Sequence, residues 1–290
     1  MTTPPSPPSP PTPPTPPTPP SPPTPPTPSK PAPAAATTTP AGRLRALARA
    51  ELTLLTRNKG MIVTALFVPL ALPFSVRPAV EQMDLRAEGL TMGAVMLTAA
   101  IGFSLLFAVY TSLVSVFVAR REELVLKRLR TGELGDAEIL VGAALPAVCV
   151  GLAQSVLLAV GCGVLLDAGT PRAPHLALLG LALGLVLCAA LAALTASFSR
   201  TVESAQVTAL PMLFVSMLGS GIAIPTELLP DRVTSVCELL PLSPAIRLIR
   251  GGWSGGMSVY DTLGAVATGI AWVVIAVSAA GRWFRWEPRR

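Results

Sequence analysis

The chain has 290 residues, of which 51% are hydrophobic and only 13% charged, and its mean hydropathy is +0.60. Soluble domains carry about 25% charged residues, so this deficit, gathered into long apolar blocks, excludes an ordinary water-soluble fold and points to a polytopic membrane protein. The net charge of +6 does not indicate a nucleic-acid partner, because the arginines stand at the ends of apolar runs and not on one face.

Residues 1–40 form a proline-rich tail: seventeen of the first thirty are proline, mostly in Ser/Thr-Pro-Pro repeats. Proline fixes φ and lacks an N–H, so this tract is expected to be extended, coreless and disordered. It has neither the apolar region nor the cleavage site of a signal peptide. Two roles stay open for it, a spacer and a ligand for an aromatic-lined groove.

Residues 41–58 read as an amphipathic helix. At 100° per residue Leu44, Leu47, Leu54 and Leu55 share one half of the wheel, and Arg43, Arg45, Arg49 and Arg57 the other. Such a basic helix is expected to lie flat at the headgroups. Glu51 falls within the apolar arc, either hydrated at the headgroup edge or contacting a protein group.

Spans are expected at 60–76, 91–118, 139–166, 176–198, 205–224 and 262–280, since a hydrocarbon core of about 30 Å needs about 20 helical residues. The expected fold is therefore an all-α membrane protein: six transmembrane helices within a membrane domain at 59–285, followed by a short tail at 286–290. With the N-terminus inside, sixteen Lys and Arg lie on the cytoplasmic side and six opposite. The positive-inside rule then puts both termini in the cytoplasm.

Between the second and third spans, 120–140 is the most highly charged window of the chain. Leu124, Leu129 and Leu134 there can fill a partner's groove while the Arg and Glu residues set register; the other reading is a hydrated loop that anchors topology. Asp136 fits an N-cap for a helix starting at Ala137. Before the last span, 225–260 is too apolar for a solvated loop, and prolines interrupt it too often for it to span. It is expected to form a re-entrant hairpin on the extracellular side, because irregular backbone at membrane depth must be covered by protein or line a water-filled cavity.

Chemistry is scarce. The expected spans hold no Asp, Glu, Lys, Arg or His, and no GxSxG or HExxH occurs. That disfavours a hydrolase and a proton-coupled carrier. The phosphate-binding GxxxxGK[ST] loop is also missing. Cys149, Cys162, Cys188 and Cys237 show no metal-ligand spacing and His175 is alone, so this chain is expected to hold no metal or cofactor. If the chain moves something uphill, the energy must come from another polypeptide.

Two motifs carry a resemblance. Arg121-Glu122, the run Leu-Lys-Arg-Leu-Arg-Thr-Gly at 126–132, Leu134 and Glu138-Ile139-Leu140 resemble the cytoplasmic signature of type-2 ABC exporter permeases. Gly221-Ile222-Ala223-Ile224-Pro225, Glu227, Pro230 and Pro241-Leu242-Ser243-Pro244 are similar to that family's motifs between its fifth and sixth spans. Leu124-Val125 stands where the family usually has Gly-Thr, Gly132 where proline is common, and Ala143 where lysine is frequent.

The resemblance, covering about 43–285, implies a membrane subunit of a plasma-membrane exporter. It would act as a homodimer, or a heterodimer with a second permease, beside a separate ATPase that binds ATP and Mg. Coupling to that ATPase would fall to Glu51, Arg121, Glu122, Leu124, Lys127, Arg128, Leu129, Arg130 and Leu134. A drug, antibiotic or lipid-linked compound would pass Ser104, Phe107, Thr111 and Ser115 of the second span and Gln206, Met212, Ser216 and Met217 of the fifth. The alternative is a membrane scaffold that recruits partners through its proline-rich tail.

Overall fold

A computed structural model of the chain describes residues 71, 75, 77–78, 80–82, 85, 91–123, 136–166, 168–226 and 229–283. All lie in the unit Pro40–Arg290. The expected proline tail, the amphipathic helix at 41–58, most of the first span and the tail at 286–290 fall outside the described residues. Among the described residues there is no strand, and five helices are long and apolar enough to cross a membrane.

The central element is α1, Met92–Glu122, buried along almost its whole length. Thr91 starts it by accepting a hydrogen bond from the Ala94 amide. Its 31 residues rise about 46 Å, so its charged end reaches beyond a hydrocarbon core of about 30 Å. Then follow α2 (Asp136–Leu165), α3 (Pro174–Phe198), α4 (Val202–Gly219), α5 (Asp231–Glu238), α6 (Ser243–Ser254) and α7 (Val259–Trp283). The start of α2 includes Asp136, one residue earlier than the sequence pattern predicts.

Close contacts give the helix directions. A Cβ on Gly93 would meet Ala168 and Leu166, and one on Gly151 would meet Val109, so α2 runs antiparallel to α1. Tyr110 and Arg121 of α1 bond to Thr195 and Ala196 of α3, and Cys188 bonds back to Leu105, so α3 runs parallel to α1. Gln206 meets Ser115 and Ile222 meets Gly102, so α4 is antiparallel. In α7, Gly269 packs on Leu183 and Trp283 on Phe198, parallel to α3. The outward faces stay apolar, with Val160 and Val164 of α2, Val207 and Leu218 of α4 and Val274 and Val277 of α7 all more than half exposed. Tyr260 and Trp283 of α7 stand about 35 Å apart along the helix, the spacing of the two aromatic belts of a bilayer.

One expected boundary moves. The apolar run at 205–224 continues past the helix, but α4 ends at Gly219. It starts earlier too: Thr201 and Ser204 form a capping box, and Gly221 at φ +74° breaks the helix after Ser220. Ile222 then lies on Gly102, ten residues inside α1, so α4 stops within the bundle. The short helices α5 and α6 follow. Pro230 precedes α5, and Pro244 opens α6. α6 runs back along the first half of α3, with Ala245 and Ile249 on Gly180 and Gly252 on Ala177. The small residues Gly180 and Gly184 allow this close approach. At the turn, Trp272 donates a 2.8 Å bond to the Leu239 carbonyl, which sets Leu239 beside the middle of α7, about 20 Å from its start.

Candidate functional site

Three places hold the residues singled out in the sequence. The first is the charged end of α1. Basic side chains near a helix C-terminus satisfy carbonyls that lack intrahelical partners and complement the helix dipole. Arg121 does this for a neighbouring helix: its guanidinium donates to the carbonyls of Ala196 at 2.9 Å and Ser199 at 2.5 Å, at the end of α3. The side chain is fully buried, whereas Glu122, adjacent in the sequence, is exposed. The pair expected to act together at a partner surface is thus divided, with Arg121 turned inward and Glu122 outward. Leu124, Lys127, Arg128, Leu129, Arg130 and Leu134 lie outside the described residues, as does Glu51.

The second place is the seam between α1 and α4. Leu105–Thr111 of α1 is wound as a π-helix, a widening that recurs at functional sites. Its carbonyls are taken up by side chains: Cys188 donates to Leu105 O, and Thr111 and Ser112 both donate to Phe107 O. Across the seam, Gln206 Nε2 donates to Ser115 Oγ at 2.7 Å, and Ser115 donates onward to Thr111 O at 3.0 Å. Ala205, Ala209, Leu213 and Ser216, spaced four, four and three, form the buried face of α4. Ser104 and Ser216 are fully buried, and among the described residues neither hydroxyl has a hydrogen-bond partner. Phe107, Met212 and Met217 are half-buried against the main core. Of the eight residues expected on the path, Ser115 and Gln206 are joined directly. A helical count finds such faces; the π-turn, which shifts the register halfway along α1, has no sequence signal.

The third place is the junction after α4. Arg250 of α6 is 3% exposed and donates to the Gly221 carbonyl and to Thr226 Oγ1. The Thr226 carbonyl in turn accepts from Thr234 Oγ1 at 3.0 Å. Ser243 Oγ donates to the Cys237 carbonyl, closing the turn between α5 and α6. Pro225, Pro241 and Pro244 are buried and Pro230 is exposed, while Glu227 lies outside the described residues. Counting arginines for topology treats Arg250 as a solvated loop residue, and so misses its burial. The signal that finds it is its place on α6, whose buried face is Ala245, Ile246, Ile249 and Arg250.

Interior charges are missing from the described spans. Residues 91–119, 139–164, 176–198, 204–219 and 262–281 contain no Asp, Glu, Lys, Arg or His. What remains is a helical bundle with a polar seam and two buried arginines, one toward each end.

A family model described as ABC-2 type transporter matches residues 42–253. The match takes in both motifs and ends before α7, short of the 43–285 expected from the resemblance. No curated protein matches the chain. The matched stretch covers well over half of the 290 residues and holds four of the five described spans. The chain belongs to the ABC-2 type transporter family, as the membrane-spanning permease subunit of an ABC transporter.

Proposed function

We propose that this permease exports a hydrophobic or amphipathic compound from the cell, driven by ATP and Mg bound to a separate ATPase subunit. The observation that carries the reading is the Arg121 junction. Where the charged segment 120–140 leaves α1, the ends of α1 and α3 are tied by two hydrogen bonds. A push delivered there by a partner moves two spans together.

The chain has no nucleotide loop of its own, and the described spans hold no carboxylate relay for a proton. The seam offers hydroxyls, one carboxamide, thioethers and a phenyl ring, a lining suited to compounds that are apolar with a weakly polar part. In this reading both termini face the cytoplasm and two permeases assemble beside two ATPases. The amphipathic helix at 41–58 lies with Glu51 at the ATPase side, and α5–α6 re-enters the membrane from outside.

The test is co-expression with a candidate ABC-type ATPase and measurement of ATP-dependent efflux of amphipathic dyes. Association with the ATPase and loss of efflux when its catalytic glutamate is replaced are the expected results. A permease that co-purifies with no ATPase overturns the proposal.

A further inference from the structure

The Arg250 cluster has no place in the coupling just described, yet it closes the opposite end of the α1–α4 seam. A buried guanidinium loses its hydration and must recover it in hydrogen bonds. Here the bonds recorded for it run to the Gly221 carbonyl and to Thr226 Oγ1, both in the segment that follows α4. Gly221 is matched to this role. Its φ of +74° is a conformation that side chains disfavour, and a Cβ there would come within 3.0 Å of an Arg250 nitrogen. The next residue, Ile222, is 2% exposed and fills the notch left by Gly102 of α1. So one arginine holds a bent strap, and the strap covers the seam at the level where α4 stops. Ser104, Ser216 and Ser220, the three buried hydroxyls without a partner among the described residues, lie two residues beyond Gly102 on α1, three before the end of α4 and one after it.

We propose that Arg250 is the positioning residue of a latch: with Gly221 and Ile222 it keeps the α1–α4 seam shut at this end, and opening of the seam requires the strap to leave Gly102. The inference rests on the export reading only for its purpose; the latch itself is a property of the permease alone. Arginine suits the site because two separate nitrogens of its rigid planar fork each hold one acceptor in fixed geometry, whereas lysine offers one nitrogen on a flexible stem. Loss of one of these bonds shifts the closed–open balance about tenfold, about 1.4 kcal/mol.

The experiment needs neither ATPase nor transported compound. Full-length protein in lipid nanodiscs, with Cys149, Cys162, Cys188 and Cys237 replaced by alanine, receives one reporter thiol by Ser216→Cys. A second series carries Ser155→Cys instead, on α2, where Ser155 is 2% exposed and donates to the Gly151 carbonyl. Both are treated with a polar maleimide. Arg250→Lys and Gly221→Ala are expected to raise the labelling rate at position 216 about tenfold and to leave position 155 unchanged. Equal increases at both positions mean general loosening and overturn the latch, as does an unchanged rate at 216 in Arg250→Lys. Should Gly221→Ala fail to fold, Arg250→Lys and Arg250→Gln carry the test. Failure of the export reading appears separately, as normal latch behaviour in a permease that binds no ATPase.

Discussion

Arg121 donates a 2.5 Å hydrogen bond to the carbonyl oxygen of Ser199, 78 residues further along the chain. The bond joins the charged end of α1 to the residue that ends α3, and two residues later Thr201 caps α4. Three spans thus meet within one turn of the Arg121 side chain. Arg121→Gln is expected to destabilise the purified permease by about 2 kcal/mol, since a charge-assisted bond is lost and a buried carbonyl is left bare. Arg121→Lys recovers the charge and one bond, so it falls between. Thermal unfolding in lipid nanodiscs ranks the three proteins; an unchanged melting point for Arg121→Gln removes the junction from the argument.

The loop that begins beside this junction supplies the second prediction. Charge reversal at Arg128 and Arg130 is expected to lower the coupling of ATP hydrolysis to efflux at least tenfold, while the protein still inserts. Like charges facing each other across a contact cost several kcal/mol, far more than a solvated anchor would lose. Efflux per ATP hydrolysed is the measurement, with membrane-fraction abundance as the control. Normal pumping by the doubly reversed variant leaves the loop as a topology anchor only.

Close packing between α3 and α6 makes glycine substitutions unequal. A Cβ on Gly252 would come within 2.5 Å of the Ala177 backbone nitrogen, which cannot give way as a side chain does. Gly252→Ala is expected to cost about 1–3 kcal/mol through overpacking. Gly161, in α2, has nothing within 4 Å of its added Cβ, so Gly161→Ala is expected to be neutral or to stabilise by up to about 1 kcal/mol. Unfolding midpoints of the two single variants decide the matter, and equal effects would mean that the α3–α6 approach is looser than described.

Deletion of residues 1–40 is expected to leave efflux within about twofold of the full chain, because a proline-rich tract lacks the apolar residues to build a core. Loss of efflux after this deletion, with insertion intact, favours the scaffold reading that assigns partner recruitment to the tail.

These predictions draw unequally on the sequence. The five described spans follow from apolar length alone, which fixes a helix to within a few residues where charge or proline bounds it. α4 escaped that rule because Ser220 to Ile224 is as apolar as the helix before it, and only the backbone conformation at Gly221 ends the span. The burial of the two arginines has no sequence signal for a related reason. Counting basic residues assumes that each marks water, but Arg121 and Arg250 find carbonyls 75 and 29 residues away, partners no local pattern reveals. By contrast, Gly180 and Gly184, four apart in an apolar helix, carry a legible signal for close packing: Gly180 receives α6, and Gly184 receives Leu105 of α1 beside Ala245 of α6. The polar seam is half legible: the family resemblance points to Ser115 and Gln206, and the π-turn in α1 has no sequence signal.

Their contact gives the last prediction. Gln206 Nε2 donates to Ser115 Oγ at 2.7 Å, the direct side-chain bond recorded across the seam. If the seam only packs two helices, Gln206→Glu removes that donor and weakens transport of every compound alike. If compounds pass along it, the new carboxylate discriminates: a cationic amphiphile gains an attraction that an anionic one of the same size lacks. In a partly hydrated site an effective dielectric of about 20 makes such a charge worth several kcal/mol at contact. Screening and mobility reduce this, and a shift of about tenfold in the ratio of cationic to anionic dye efflux is expected, about 1.4 kcal/mol. Competition between two dyes in one vesicle preparation measures the ratio directly, free of differences in expression. A uniform fall in both dyes, with the ratio unchanged, assigns Ser115 and Gln206 to packing and moves the path elsewhere in the bundle.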